Sequence, residues 1–331
     1  MNVNIHMTTT EFGKLKKVVV GDAKNAKIPS YDISFHTVCH ADKPPRWRSQ
    51  SQSYPEQVIE EAQEDLEKVV DALKGFGVEV LRPSFSRMPD YYYYCPRDIV
   101  LSYKDMLIAA PTPIRARQWE YTNLFDNEEI IRGKKCINLT RSFEDNMYNQ
   151  NCLGNKDVLA LNDHMPAFEA ANILKHHEQI FYLVSNSANE KGAELLQEIL
   201  GSKVKINLIK GVYSFMHIDS TIAILRDGLL LVNPARIKSK AQLPEYFKSW
   251  DIIFAPEPTD IGYFDHYCNA SQWVNINLLS LDENTVLLEG RQKDLIDLLK
   301  KYNIESLPVN IRHARTLGGG PHCVTLDLDR E

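Results

Sequence analysis

Apolar residues recur along this chain at two spacings, and the alternation between them predicts its elements. From Pro55 to Lys74 the apolar positions Val58, Ala62, Leu66, Val69, Val70 and Leu73 fall three or four residues apart. That is the period of a helix buried on one face, with proline in its first turn. Gly75 and Gly77 supply the stop. Short apolar runs at Lys14–Val20 and Val78–Leu81 predict strands on either side. The pattern returns as a strand at Phe181–Val184, a helix at Asn189–Leu200 stopped by Gly201, and a strand at Val204–Leu208. Further strands are predicted at Thr221–Leu225, Leu229–Val232, Val274–Leu279 and Thr285–Glu289. A helix at Gln292–Tyr302 and strands at Val309–Arg312 and Val324–Leu328 close the chain.

The recurring unit is strand, strand, helix, strand, so the fold class is α/β. Repeated around an axis, such a unit would bring strand ends, and the short loops beyond them, to a common centre. No low-complexity linker interrupts the pattern, and residues 1–331 read as one domain. The polar, proline-bearing segment Lys43–Tyr54 reads as a surface excursion.

Composition narrows the function classes. A chain of 331 residues that is 44% hydrophobic can bury a large core. Its net charge of -6, with no basic stripe, speaks against a nucleic-acid partner. The longest apolar runs, such as Gly228–Val232, are strand-sized, whereas a membrane span needs roughly 20 apolar residues. The opening MNVNIHMTTTEFGKLKK has no basic stretch followed by an apolar run, and reads as no signal peptide and no mitochondrial leader. A cytoplasmic protein is expected. The six cysteines form no C-x-x-C pair and read as reduced thiols. No cysteine or histidine cluster has zinc spacing, so neither a metal nor an organic cofactor is expected.

Four segments can carry chemistry. In Gly318-Gly319-Gly320-Pro321-His322-Cys323, three glycines remove every Cβ near the cysteine and let backbone and ligand approach. Cys323 is either an exposed nucleophile or a buried strand cysteine after a tight turn. In Met216-His217-Ile218-Asp219-Ser220-Thr221, an extended backbone would point His217 and Asp219 to one face; the bland alternative is a satisfied histidine at a strand edge. Phe168-Glu169-Ala170-Ala171-Asn172 sets a carboxylate that needs a partner among small residues, which leave room for a ligand or a backbone crossing. Pro96–Leu101 puts Arg97 and Asp98 at the mouth of an apolar strand, where a structural ion pair is the alternative to a site. The run Tyr91–Tyr94 before it reads as packing. Together these supply one cysteine, one histidine and three carboxylates. A guanidinium is planar, cationic and offers five donors, so a site for it needs several acceptor-only carboxylates. A nucleophile and a proton carrier complete the set for attack at its carbon.

With those residues in hand, the sequence resembles the arginine:glycine amidinotransferases of the guanidino-modifying, or pentein, superfamily. The likeness runs nearly end to end. It includes Leu15–Gly21 with Asn25–Pro29, PRDI at Pro96–Ile99, Arg115-Ala116-Arg117 with Glu120-Tyr121, and PAFEAAN at Pro166–Asn172. It continues through MHIDST at Met216–Thr221, Asn233-Pro234 with Arg236, Ser271-Gln272-Trp273, Val309–Arg312 and LGGGPHC at Leu317–Cys323.

The resemblance implies a five-bladed α/β propeller of repeated ββαβ units with pseudo-fivefold symmetry. It also implies transfer of the amidino group of L-arginine to an acceptor amine, through an amidino-cysteine and with release of L-ornithine. Cys323 matches the family nucleophile, His217 the acid/base and Glu169 the carboxylate that orients it. Asp98 and Asp219 match the pair that grips the guanidinium; Arg236 and Ser271 match groups that hold the donor's α-carboxylate. The partners implied are small molecules, and a homodimer is compatible with the family. One departure is that the glycine enzymes carry Asp at the position of Glu169, whereas arginine deiminases carry Glu there within a Glu-Gly-Gly motif that this chain lacks. A hydrolase using water as acceptor, and a non-catalytic pentein that only binds, are the alternatives.

Overall fold

A computed structural model of the chain describes residues 7–42, 52–212 and 215–331. The chain begins with strand β1 (Leu15–Val20), helices α1 (Ile33–Cys39) and α2 (Glu56–Gly75), and strand β2 (Glu79–Leu81). Strands β3 (Val100–Tyr103), β4 (Met106–Ala109) and β5 (Lys135–Asn138) follow. Then come β6 (Ile173–His176), β7 (Gln179–Leu183), helix α3 (Glu190–Leu200) and β8 (Lys205–Ile209). Strands β9 (Ile222–Arg226), β10 (Leu229–Val232) and β11 (Asp251–Phe254) precede β12 (Leu279–Asp282), β13 (Thr285–Glu289), helix α4 (Lys293–Lys300) and β14 (Glu305–Val309). The last strand, β15 (Thr325–Arg330), returns to the first and pairs antiparallel with β1.

These strands make five three-stranded sheets among the described residues, each with the same connectivity. A first strand pairs antiparallel with a central strand, and the central strand pairs parallel with a third after a crossover. A parallel return needs a long connection. α2, α3 and α4 provide it in three sheets, and short helical turns with irregular segments do so in the other two. Because β15 is the first strand of the sheet that holds β1 and β2, the chain closes on itself. The mixed α/β architecture is that of the pentein fold.

The helices form where the spacing predicted. Val58, Ala62, Leu66, Val69, Val70 and Leu73 are the buried face of α2, and Gly77, at φ +87°, ends it. Asn189 caps α3 by accepting from the Gly192 N–H, and Gly201 at φ +77° stops it. Two predicted strands are corrected. Val274–Leu279 is instead a 3-10 turn at Gln272–Ile276 followed by β12, because the Ser271 hydroxyl takes the Trp273 N–H and turns the chain. Val309–Arg312 is not a strand beyond Val309: the Arg312 N–H and guanidinium go to the buried Asp65 carboxylate of α2, which draws the chain away from the ladder. Residues 43–51 of the expected surface excursion lie outside the described residues. At its end Gln52–Ser53 is exposed, as a surface segment would be, but it pairs with Lys27–Ile28, and Tyr54 is buried. No helix is long and apolar enough to cross a membrane among the described residues.

Candidate active site

Each of the five sheets sends one polar residue to the same place from the turn just ahead of its first strand. These are Asp98 before β3, Glu169 before β6, Asp219 before β9, Asn277 before β12 and Cys323 before β15. All but Glu169 line a cavity of about 490 Å³, together with His217, Arg236 and Ser271. Glu169 lies behind His217 and is fully buried. The fold therefore brings every expected site residue to one cavity or its wall.

Cys323 is fixed from three sides. Its thiol donates to Asp219 Oδ2 at 3.0 Å, and the Asn277 amide Nδ2 donates to Sγ at 3.0 Å. The Asn277 amide oxygen accepts the backbone N–H groups of both His322 and Cys323, each at 3.1 Å. Two donors on the oxygen fix which end of the amide faces the sulfur. The glycines do what their lack of a side chain allows: a Cβ on Gly319 would lie 2.6 Å from Cys95 Sγ and 2.7 Å from the Cys323 Cβ. A hydrogen bond with Cys95, then burial, then the charges of Asp219 and Asp98 push the Cys323 thiol well above its ordinary range. These influences favour the thiol of Cys323 over its thiolate in the free protein.

His217 reaches the cavity by a backbone crossing at the small residues of Phe168–Asn172. The Ile218 N–H donates to the Ala171 carbonyl at 3.0 Å, which seats His217 Nε2 at 2.7 Å from Glu169 Oε2. The condition of an extended Met216–Thr221 is not met, because the segment is a bend and turn. His217 and Asp219 share the cavity through that turn. Nδ1 of His217 lies 3.7 Å from Asp98 Oδ1. Burial alone would lower the imidazole, but Asp98, the bond to Glu169 and the charge of Asp219 outweigh it and raise His217 to about 9.

Arg117 supports this group from below. It is 2% exposed, with Nη1 2.8 Å from Asp98 Oδ2 and 3.3 Å from Glu169 Oε1, and its Nε donates to Glu120 at 3.0 Å. The rings of Tyr91 and Tyr92 cover its guanidinium at 5.8 and 5.1 Å. The tyrosine run is packing, as expected, but Tyr91 and Tyr92 also line the cavity. Burial opposes ionisation of Glu169, yet Arg117, His217 and Thr112 outweigh it and hold the carboxyl low. Burial pushes Asp98 up instead and, with the charge of Glu169, outweighs His217 and Arg117. Its buried Oδ1 accepts no hydrogen bond among the described residues. Arg97 and Asp98, adjacent in sequence, do not pair with each other: Arg97 turns to Asp327.

Also lining the cavity, Arg236 donates through Nη1 to the Ser220 carbonyl and to the hydroxyls of Ser220 and Thr221, and through Nη2 to Ser271 Oγ at 3.4 Å. The sequence reading missed Asn277 as a site residue and placed Arg117 only within a family motif. Position in the repeat would have found Asn277, since it occupies the place before β12 that Cys323 occupies before β15. Among the described residues, no group of three or more histidine, cysteine or carboxylate side chains could hold a metal ion.

A cavity with a cysteine, a carboxylate-paired histidine and two further carboxylates, on a pentein fold, belongs to the guanidino-modifying enzymes. Comparison with known proteins narrows the class: the chain belongs to the amidinotransferase family and is an enzyme of that kind. It is 36% identical over 346 residues to inosamine-phosphate amidinotransferase 1 of Streptomyces glaucescens, covering 99% of this chain and 97% of the relative. It is 28% identical over 342 residues to the L-arginine:L-lysine amidinotransferase of Pseudomonas savastanoi pv. phaseolicola, covering 97% and 93%. The solved structure of an inosamine-phosphate amidinotransferase from Streptomyces griseus superposes with a TM-score of 0.92 at 32% identity, over 98% of this chain and 97% of that one. No family model matches the chain.

Proposed function

We propose that this amidinotransferase takes its amidino group from L-arginine, carries it on Cys323 and delivers it to an acceptor amine, releasing L-ornithine. The observation that carries this reading is the buried Oδ1 of Asp98, which accepts no hydrogen bond among the described residues, in the cavity that also holds Asp219 and Cys323. A guanidinium N–H gives that oxygen its missing donor, and two acceptor-only carboxylates fix the plane of the cation beside the sulfur. The bound cation also offsets the negative field that holds the proton on Cys323, so the thiolate forms as the donor arrives. Sulfur adds to the guanidinium carbon. His217, held by Glu169, protonates the departing amine, and ornithine leaves an amidino-cysteine behind. An acceptor amine then loses a proton to His217 and takes the group. Within this proposal the five sheets are the blades of a five-bladed propeller, and the whole chain acts as one catalytic domain.

Arg236 and Ser271 are assigned to the donor's α-carboxylate by a charge-assisted contact. Arg236→Ala is expected to raise the KM for arginine about 10- to 100-fold while shifting the melting temperature little. Steady-state kinetics with arginine and thermal unfolding check it. An unchanged KM would remove the residue from donor binding.

The pH dependence follows from the two raised groups. The free enzyme holds both the imidazolium of His217 and the thiol of Cys323, and the reacting complex has one proton fewer. The kcat/KM for donor is therefore expected to rise with pH and to level off near pH 9, where His217 loses its proton. Glu169→Gln removes an anion that favours the imidazolium and should move that break to lower pH. A pH–rate profile of both proteins checks the shift and its sign.

The experiment that tests the function is incubation with arginine and a panel of amines, including glycine, lysine and a phosphorylated aminocyclitol, with products identified by mass. Ornithine together with a new guanidino compound is the expected outcome. Citrulline formed without any amine would favour the hydrolase.

A further inference from the structure

Beyond the groups that meet the donor, Asp219 has a second neighbour whose place in the reaction is unassigned. His322 Nδ1 lies 3.1 Å from Asp219 Oδ2, the same oxygen that accepts from Cys323 at 3.0 Å. A carboxylate only accepts, so Nδ1 carries the proton of this bond. The ring is buried and cannot wander. Its backbone N–H is held by Asn277, and its carbonyl accepts from Arg97 Nε at 2.8 Å. On its far side, Nε2 faces Glu11 Oε2 at 3.6 Å. Glu11 is itself anchored, since its Oε1 takes the Lys175 backbone N–H at 3.0 Å. Arg97 and Lys175 both pair with Asp327, which ties this anchor to the centre of the molecule. Largest of the influences on Asp219 is burial, which opposes ionisation. The bond and charge of His322 come next, and with His217 and Cys323 they hold the carboxyl well below its usual range.

We propose that His322 is a positioning residue for amidino transfer. Its Nδ1–H clamps Asp219 Oδ2 beside the sulfur, so that Oδ1 is the oxygen left to a guanidinium. Burial of the ring and the bonds that Asn277 and Arg97 make to the His322 backbone fix the ring in that pose. The inference rests on the proposed role of Asp219 toward the donor, and it adds a residue that never touches substrate. Without the clamp, the full charge of Asp219 faces the thiol and the carboxylate is free to turn. Cys323 then holds its proton more tightly, and the guanidinium loses a fixed acceptor.

Two substitutions separate the clamp from mere packing. In His322→Asn, the amide nitrogen can stand where Nδ1 stands; in His322→Gln, it reaches instead toward the place of Nε2. The assay is the rate of iodoacetamide labelling at Cys323, mapped by peptide mass, with and without guanidinium chloride as a protecting cation, alongside melting temperatures. His322→Asn is expected to label within about threefold of the wild type and to keep protection by guanidinium, whereas His322→Gln should label about tenfold more slowly and need about tenfold more guanidinium for the same protection. Equal behaviour of the two variants, or wild-type behaviour of His322→Gln, overturns the proposal. If guanidinium fails to protect even the wild type, the donor reading of the site fails, while the difference in labelling between the two variants still decides the role of His322.

Discussion

Cys323→Ser is expected to lower amidino transfer by at least about 10³-fold and to leave the melting temperature nearly unchanged. The two expectations come from different parts of the same geometry. A serine hydroxyl fits the space of the thiol. It can donate to Asp219 and accept from Asn277 as Cys323 does, and the Asn277 oxygen still takes the two backbone N–H groups. Nothing in the packing is lost. The chemistry, however, depends on a sulfur that becomes an anion when a guanidinium binds, and a hydroxyl with its ordinary pKa does not do so. Steady-state turnover and thermal unfolding of the same preparation check both halves. Transfer at the wild-type rate would mean that sulfur is not the carrier. A collapse in stability would mean that the contacts around Cys323 are mainly structural.

The second large effect is on stability. Arg117→Met keeps most of the side chain's volume but removes a cation that faces Asp98, Glu169 and Glu120 together. Removing one partner of a buried ion cluster leaves uncompensated charge, and the expected loss is about 3–5 kcal/mol at neutral pH. The carboxyls respond by holding protons. Burial already raises Glu120 to about 8 with Arg117 in place. Without the cation, the three groups should titrate well above their unfolded values in the variant. A raised folded pKa contributes stability that is present at low pH and is lost as pH rises through it. The deficit of Arg117→Met relative to wild type should thus be smallest near pH 5 and grow toward pH 8. Denaturant unfolding across that range checks it. A deficit independent of pH would place the cost in packing. Because Asp98 and Glu169 also flank His217, turnover should fall along with stability.

Much of this was legible in the chain, for physical reasons that differ from element to element. α2 and α3 could be read because a buried helical face repeats with a fixed period and their ends carry proline, asparagine and glycine at positions with backbone requirements. The reading of Val274–Leu279 as a strand failed over Val274–Ile276 because a short apolar run has no period of its own. There a single hydroxyl, Ser271, bends the chain. Val309–Arg312 failed for a long-range reason: Asp65, far away in sequence, takes Arg312 out of the ladder. The site residues stood out where small neighbours surrounded a polar group, as at Glu169 and Cys323. Asn277 did not, because an asparagine after an apolar run looks like an ordinary turn residue. Its role exists only through the sulfur and the two N–H groups it meets in space. Arg117 was hidden in the same way, since nothing local distinguishes a buried arginine from a solvated one.

The measurement that tests the central claim most directly is the intact mass of the protein after mixing with arginine in the absence of any acceptor amine. A transferase must shelter its adduct from water until an amine arrives. An amidino group is therefore expected to accumulate on the protein, to map to Cys323 among the six cysteines, and to disappear on addition of a competent amine as a new guanidino compound forms. An unmodified Cys323 under conditions where transfer proceeds, or an adduct carried on another residue, would contradict the account.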